Sequence, residues 1–188
     1  MRMRKSSARN SAALLLFIAA CSQQQTGIAT PAPRMDRVHV ESQHVDYDMA
    51  STADGTEVRS TVPYAAADVY AAAQRVFADL GISTETADPV HRFLAGAASA
   101  RRQFANRPLS QFVNCGSTLM GPNADIYNVR LHIQTEVDST APAKSRLRTM
   151  LQTNAASDGG STVPCATKGD LEKTIGDRIT AILIQQKK

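Results

Sequence analysis

Cysteine and histidine have the most reactive side chains in this sequence, which contains three cysteines. Cys115 and Cys165 stand 50 positions apart, and Cys21 ends an apolar run near the N-terminus. A Cys115 thiolate activated by a base such as His132 could act as a nucleophile. In an oxidising compartment the same thiols would instead form a disulfide. The compartment therefore decides between these two interpretations.

The first 20 residues have the three-part organisation of an export signal. A basic segment without acidic residues precedes an apolar run over residues 12–20. Such a run is too short to cross about 30 Å of hydrocarbon as a helix. We therefore expect residues 1–20 to be a cleaved signal peptide. Its basic residues are Arg2, Arg4, Lys5 and Arg9.

The end of the apolar run, Ile18-Ala19-Ala20-Cys21, resembles the lipobox of bacterial lipoproteins. In that family the cysteine thiol is acylated and the cysteine becomes the new N-terminus. The resemblance implies palmitate or a related acyl chain on Cys21 and a lipid anchor in the cell envelope. Ser22 is similar to the residue at this place in lipoproteins of the outer membrane, which implies its periplasmic face in an organism with two membranes. An ordinary secretory signal is the alternative.

Acylation of Cys21 would leave Cys115 and Cys165 to pair in an oxidising compartment. The disulfide would close a loop of about 50 residues, which contributes roughly 4 kcal/mol on the chain-entropy model. We therefore expect a Cys115–Cys165 disulfide. A free, nucleophilic Cys115 is the alternative.

The formal charge of +4 comes from the signal peptide, which holds four of the 21 basic residues. The mature chain has 17 basic and 17 acidic residues, so its net charge does not indicate a nucleic-acid partner. Charge is nevertheless uneven along the chain. Residues 36–57 hold six acidic residues and one arginine, whereas residues 89–124 hold four arginines and no acidic residue.

The arginines of residues 89–124 are a candidate anion-binding patch, because guanidinium groups suit phosphate and carboxylate partners. The partner would be an anionic lipid headgroup or an acidic envelope protein. Solvated loop charges are the alternative interpretation. The four residues are Arg92, Arg101, Arg102 and Arg107.

Other signatures of chemistry are absent from the sequence. It has no Gly-x-x-x-x-Gly-Lys loop, no Gly-x-Ser-x-Gly elbow, no His-Glu-x-x-His and no Cys-x-x-Cys. His44, Asp46 and Asp48 share one face of a predicted strand, with His39 and Glu41 nearby. Two-residue spacing alone does not make such ligands converge, and no thiolate contributes. We therefore expect no metal site and no cofactor.

Hydrophobic periodicity predicts the elements that position these residues. Residues 21–37 hold the acylated cysteine and a tether rich in Gln, Ala, Thr and Pro, and residues 38–188 form one domain. Amphipathic helices are predicted over 64–80 and from Thr167, which with Asp170 forms a variant capping box, to the C-terminus. Residues 99–123 have no sustained period, apart from a helical turn after Pro108. Alternation predicts strands over 44–49, 56–62, 82–87, 90–98, 127–138 and 146–155.

This order predicts an α+β domain in which a curved antiparallel sheet of about six strands has two helices on one face and one disulfide. The order is similar to the helix-grip arrangement of lipid-carrier domains and of BamC, an accessory lipoprotein of the barrel-assembly machinery. The resemblance is one of element order without motifs, so no functional residue is carried over.

The anchor, the tether and the missing catalytic signatures predict a non-enzymatic, lipid-anchored cell-envelope protein that binds or scaffolds another envelope component. The helix-grip resemblance implies the main alternative, which is a carrier of a small apolar ligand between the sheet and the C-terminal helix. A hydrolase with an unrecognised site is the third interpretation.

Replacement of Cys21 by serine tests the anchor. Because the variant lacks the thiol that receives the acyl chain, we expect an uncleaved or soluble precursor in cell fractionation, with the wild-type chain in the membrane fraction as the control. A Cys21→Ser variant that still reached the membrane through a covalent acyl group would show that the lipoprotein prediction is wrong.

Overall fold

The computed structural model describes residues 36–40, 46–52 and 55–186, so Cys21 and most of the tether lie outside the described residues. Within these residues eight strands form one antiparallel sheet. The strands are β1 (Asp36–Val40), β2 (Asp46–Thr52), β3 (Gly55–Val62), β4 (Ser83–Asp88), β5 (Phe93–Arg101), β6 (Asn128–Ala141), β7 (Lys144–Ala156) and β8 (Thr162–Pro164). Their spatial order is β1-β2-β3-β7-β6-β5-β4, and β8 pairs with the end of β7.

The described part of the chain contains four helices, of which two are long. These are α1 (Ala66–Asp79) and α4 (Asp170–Gln186), whereas α2 (Leu109–Phe112) and α3 (Asn123–Ile126) are single turns. The two long helices contact each other and cover one face of the sheet. Helix α1 contacts β5, β6 and β7, whereas α4 contacts β3 and β7. None of the helices in the described part of the chain is long and apolar enough to span a membrane.

Alternation along the central strands supplies the core. Ile133 of β6 and Leu151 of β7 are paired in register and buried, as are Val137 and Leu147, which lie four residues further along β6 and four residues back along β7. On α1, Val69 and Phe77 are buried at the predicted helical spacing. The predicted fold class, α+β with two helices on one face of an antiparallel sheet, is therefore confirmed. The six predicted strands correspond to β2–β7, and the short strands β1 and β8 extend the sheet at its margins.

The connection from α1 to β4 requires two glycines. Gly81 has φ +68°, and the following Ile82 donates its backbone N–H to the Phe77 carbonyl at 2.9 Å, which ends the helix as predicted. Gly96 of β5 lies against this connection. A Cβ at Gly96 would stand 2.6 Å from the Ser83 carbonyl oxygen and 2.9 Å from Ile82 Cγ2. The glycine therefore allows a close approach of the start of β4.

The predicted capping box at the start of α4 is wrong. Thr167 lies in a two-residue strand, Ala166–Thr167, and its hydroxyl is buried without a hydrogen-bond partner. Because that backbone is extended, the helix begins only after Gly169, which has φ +82° and accepts the first helical hydrogen bond from the Lys173 N–H at 2.9 Å.

Residues 102–127, here called the insertion, connect β5 to β6. They contain a hairpin of Gln103–Phe104 with Arg107–Pro108, then α2, which confirms the predicted turn after Pro108. Val113–Asn114 pairs with Ala166–Thr167. A second hairpin of Ser117–Thr118 with Gly121–Pro122 precedes α3.

The predicted disulfide is confirmed, because Cys115 of the insertion is bonded to Cys165 just before α4. Thr153 of β7 fixes Cys165 further. Its carbonyl accepts the Cys165 N–H at 3.2 Å, and its hydroxyl donates to the Cys165 carbonyl at 3.1 Å. The disulfide therefore ties the insertion and α4 to the sheet. The alternative of a free Cys115 nucleophile is wrong for this state of the protein.

The double variant Cys115→Ala, Cys165→Ala tests the contribution of this bond to stability. The closed loop spans 50 positions, and we expect the free energy of unfolding to fall by about 2 to 4 kcal/mol in urea titrations. Reduction of the wild-type protein should lower its thermal midpoint to a similar extent and leave the double variant unchanged. Two thiols that react with an alkylating reagent before reduction in the exported protein would contradict the assignment.

Candidate functional site

Among the described residues, the two long helices cover one face of the sheet, and the opposite face is here called the open face. Residues that alternate with the core positions of β3, β5, β6 and β7 point to it. The main outward residues are Glu57, Arg59, Phe93, Arg130, His132, Gln134, Glu136, Asp138, Arg146, Arg148, Met150 and Gln152. β6 and β7 each therefore have one buried face and one wet face, as the alternation of their residues indicates.

Arg148 is the centre of an ion-pair network on the open face. Its guanidinium lies 3.1 Å from Glu136, which is its register partner on β6, and 3.7 Å from Asp138. On the other side its Nε lies 3.6 Å from Glu57, which also pairs with Arg59. Partly exposed pairs of this kind contribute little to stability. Their effect is to hold charges of both signs in a fixed arrangement across three strands.

An apolar cleft lies beside this network. It has a volume of about 110 Å³ and is lined by Phe93 and Met150 with the polar residues Gln134, Glu136 and Arg148. Sites for drug-sized ligands usually have volumes of roughly 300 to 1,000 Å³. The cleft is therefore too small for such a ligand and has the size of a pocket for one partner side chain.

His132 lies further along the open face and is half-buried. Its Nε2 is 3.1 Å from Glu85 of β4. This position separates His132 from Cys115, so the two do not form the nucleophile and base that the sequence allowed. Among the described residues no group of three potential ligands could hold a metal ion. The side chains of the acidic and histidine residues between 39 and 48 lie outside this description.

The β4–β5 turn contains a second histidine interaction. The Asp88 carboxylate accepts a hydrogen bond from the His91 ring at 2.6 Å and from two backbone N–H groups. These hydrogen bonds, first of all that of the His91 side chain, lower the pKa of Asp88. The arrangement closes an exposed turn, so His91 has a local structural role here.

The structure places Arg92 and Arg101 at opposite ends of β5, so the four predicted arginines do not form one cluster. Nine residues of extended strand span about 30 Å. Arg92 donates its Nε–H to the Val137 carbonyl at 2.9 Å. Arg101 forms an exposed ion pair with Asp158 at 2.9 Å and donates to the Ile126 carbonyl.

Arg107 and Arg102 belong to the insertion and differ in their contacts. The Arg107 guanidinium lies over the Phe112 ring at 4.8 Å and donates to Gln111 and to Thr174 of α4. Arg102 is exposed, has φ +69°, and has no side-chain partner within the described part of the chain. Arg101 and Arg102 therefore remain adjacent at one end of the sheet, whereas Arg107 packs against its own element.

Sequence reasoning missed Glu172, a carboxyl group that is 1% exposed in the first turn of α4. Burial raises its pKa to about 8, and the nearby Asp170 carboxylate adds to this. The backbone N–H of Glu172 and the Thr167 hydroxyl oppose the shift, but neither carboxyl oxygen makes a hydrogen bond of normal geometry. The group is therefore largely protonated at neutral pH. Ile175 and Ile179 follow Glu172 by three and seven positions, which places the three residues on one face of the helix. This spacing was the sequence feature that could have predicted the burial of Glu172.

The variant Glu172→Gln tests this buried carboxyl. The folded pKa of about 8 exceeds the ordinary 4.5, so the folded protein holds a proton that the unfolded chain releases, and the free energy of unfolding falls as pH rises between these values. Glutamine has no ionisable group, so the variant does not show this fall in the free energy of unfolding. We expect it to raise the free energy of unfolding by on the order of 2 to 4 kcal/mol at pH 8, with little effect at pH 4.

Urea titrations at several pH values measure this difference. The control is Asp68→Asn, which removes an exposed carboxylate from the first turn of the other long helix, α1. Equal pH dependence in wild type and Glu172→Gln would contradict the assignment.

Comparison with known proteins assigns no family to the chain. No family model and no curated protein matches the sequence. Among solved structures, a DUF4468 family protein from Bacteroides ovatus aligns with 9% identity and a TM-score of 0.36. The alignment covers 61% of this chain and 63% of that protein, so the chain spans less than two thirds of its length. A similarity at this level carries no conclusion about function.

Proposed function

We propose that the chain is a lipid-anchored, non-enzymatic protein of the cell envelope whose domain binds another envelope protein through the open face. The observation that carries this proposal is the Arg148 ion-pair network beside the cleft of Phe93 and Met150. Fixed charges of both signs around a small apolar pocket are suited to a partner surface that presents complementary charges and one inserted side chain.

The proposed location rests on the N-terminal sequence. The signal-like segment before Cys21 supports export and acylation. The disulfide between Cys115 and Cys165 supports an oxidising compartment, because disulfides rarely persist in the cytosol. In an organism with two membranes we place the protein at the periplasmic face of the outer membrane, on the basis of Ser22.

The packing between the sheet and α4 favours a binding protein over a carrier. Ile175, Ile179 and Leu183 of α4 are almost completely buried there, against strand residues such as Leu147 and Leu151. Side chains thus fill the space that a carried ligand would need. A second cavity lies at the ends of α1 and α4, next to Ile182, and is not enclosed between helix and sheet. No arrangement of the described residues favours the hydrolase alternative.

Site-specific photo-crosslinking in intact envelopes tests the proposed interface. A photoreactive residue at Gln152, on the open face, should give an adduct of one defined mass with an envelope protein. The same residue at Gln74, which is exposed on α1 on the other side of the domain, should give little. Equal adducts from the two positions would contradict the use of the open face.

Charge reversal at Arg148 distinguishes a specific partner from general crowding. In the Gln152 crosslinking background, Arg148→Glu should reduce the adduct several-fold, because it places a fourth acidic group among Glu57, Glu136 and Asp138. Arg146→Glu is the matched control, since it reverses the same charge on the same face of β7 without touching the cleft. An equal loss of the adduct in the two variants would show that binding depends on the net charge of the face and not on the Arg148 network.

A further inference from the structure

The second hairpin of the insertion presents two adjacent apolar side chains to solvent. Leu119 and Met120 form its tip, between Ser117–Thr118 and Gly121–Pro122, and their exposed fractions are 109% and 85%. Scattered exposed apolar residues are ordinary on protein surfaces. Two adjacent, fully exposed apolar side chains at a hairpin tip can instead insert into an apolar environment outside the protein.

The base of this hairpin is held firmly. The disulfide fixes Cys115, whose carbonyl accepts a hydrogen bond from the buried Asn123 side chain at 3.1 Å. The Asn123 N–H donates to the Gly116 carbonyl at 3.0 Å across the hairpin base. The base of the hairpin is therefore fixed, whereas the tip does not pack against the domain. A fixed base reduces the conformational entropy that is lost when the tip inserts.

Strand register places the two ends of the insertion at one end of the sheet. The insertion leaves β5 at Arg101 and returns at Asn128, and these two residues are register partners at one end of the sheet. The β4–β5 turn, which contains Val90, joins the strands at the other end of β5.

The charge of the surrounding segment suits an anionic surface. Residues 102–124 of the insertion, which include the whole hairpin, contain no acidic residue, and Arg102 among them is exposed. Arginines near a membrane are attracted to anionic headgroups, whereas acidic residues would be repelled. These charges favour a lipid bilayer over an acidic protein surface that would have to cover two apolar side chains.

We propose that Leu119 and Met120 insert into the outer part of the bilayer that carries the Cys21 lipid. This inference rests on the lipid anchor of the proposed function. The anchor supplies a high local concentration of bilayer, so two apolar side chains suffice as a second contact.

Tryptophan fluorescence tests the inserted tip, because the chain has no tryptophan of its own. The probe is the full, lipidated chain with Leu119→Trp, reconstituted in vesicles that contain phosphatidylglycerol with brominated acyl chains. The matched control is Val90→Trp, since Val90 is also an exposed apolar residue, at 75%, but lies in the β4–β5 turn at the opposite end of the sheet. Both positions are exposed, so neither substitution disturbs the core.

We expect the Leu119→Trp emission to shift to shorter wavelength and to be quenched by brominated lipid several-fold more than that of Val90→Trp. Equal quenching in two variants that both sediment with vesicles would overturn the inserted tip while leaving the anchor intact. Failure of both to sediment would overturn the anchor and the inference together. A blue shift in native envelopes but not in pure lipid vesicles would overturn the bilayer as the occupant and assign the tip to a protein.

Discussion

The pairing of β6 with β7 is the interaction on which the rest of the structure depends. Helices α1 and α4 pack against its inner side chains, such as Ile133 and Leu151. Its outer side chains place Glu136 opposite Arg148. Because side chains alternate along a strand, a slip of one residue in this register would exchange the two faces, burying charges and exposing the core. One register therefore fixes both the hydrophobic core and the open face.

Much of the fold could be predicted because its long elements have strong periodicity. Six strands and both long helices were predicted from alternation and from three- and four-residue spacing, and the disulfide from the number of cysteines left after Cys21. The strands β1 and β8 were missed because segments of five and three residues carry too little pattern. The first hairpin of the insertion was also missed. Its turn residues, Ala105 and Asn106, both have positive φ without the glycine that usually signals such a turn.

The candidate site could be predicted only in part, because sequence pattern assigns a residue to a face and not to a neighbour. Glu136 and Arg148 were placed on the wet side, but their ion pair requires the register, and Glu57 reaches the same arginine from 91 positions away. The arginine group shows the converse, since Arg92 and Arg101 are close in sequence and lie at opposite ends of one strand. Glu172 was missed because its charge argued against the burial that its helical spacing indicated.

The strand order has a further consequence for the time course of folding. β3 and β5 are joined in the sheet only through β7 and β6, which are later in sequence, and the contact of Val62 with Ser145 closes a loop of more than 80 residues. Non-local pairing of this kind slows folding. Until residues 128–156 are available, the two earlier hairpins each keep an unpaired edge, which is a template for aggregation. Under the proposed export, this delay would favour a chain that is still unfolded when it is translocated.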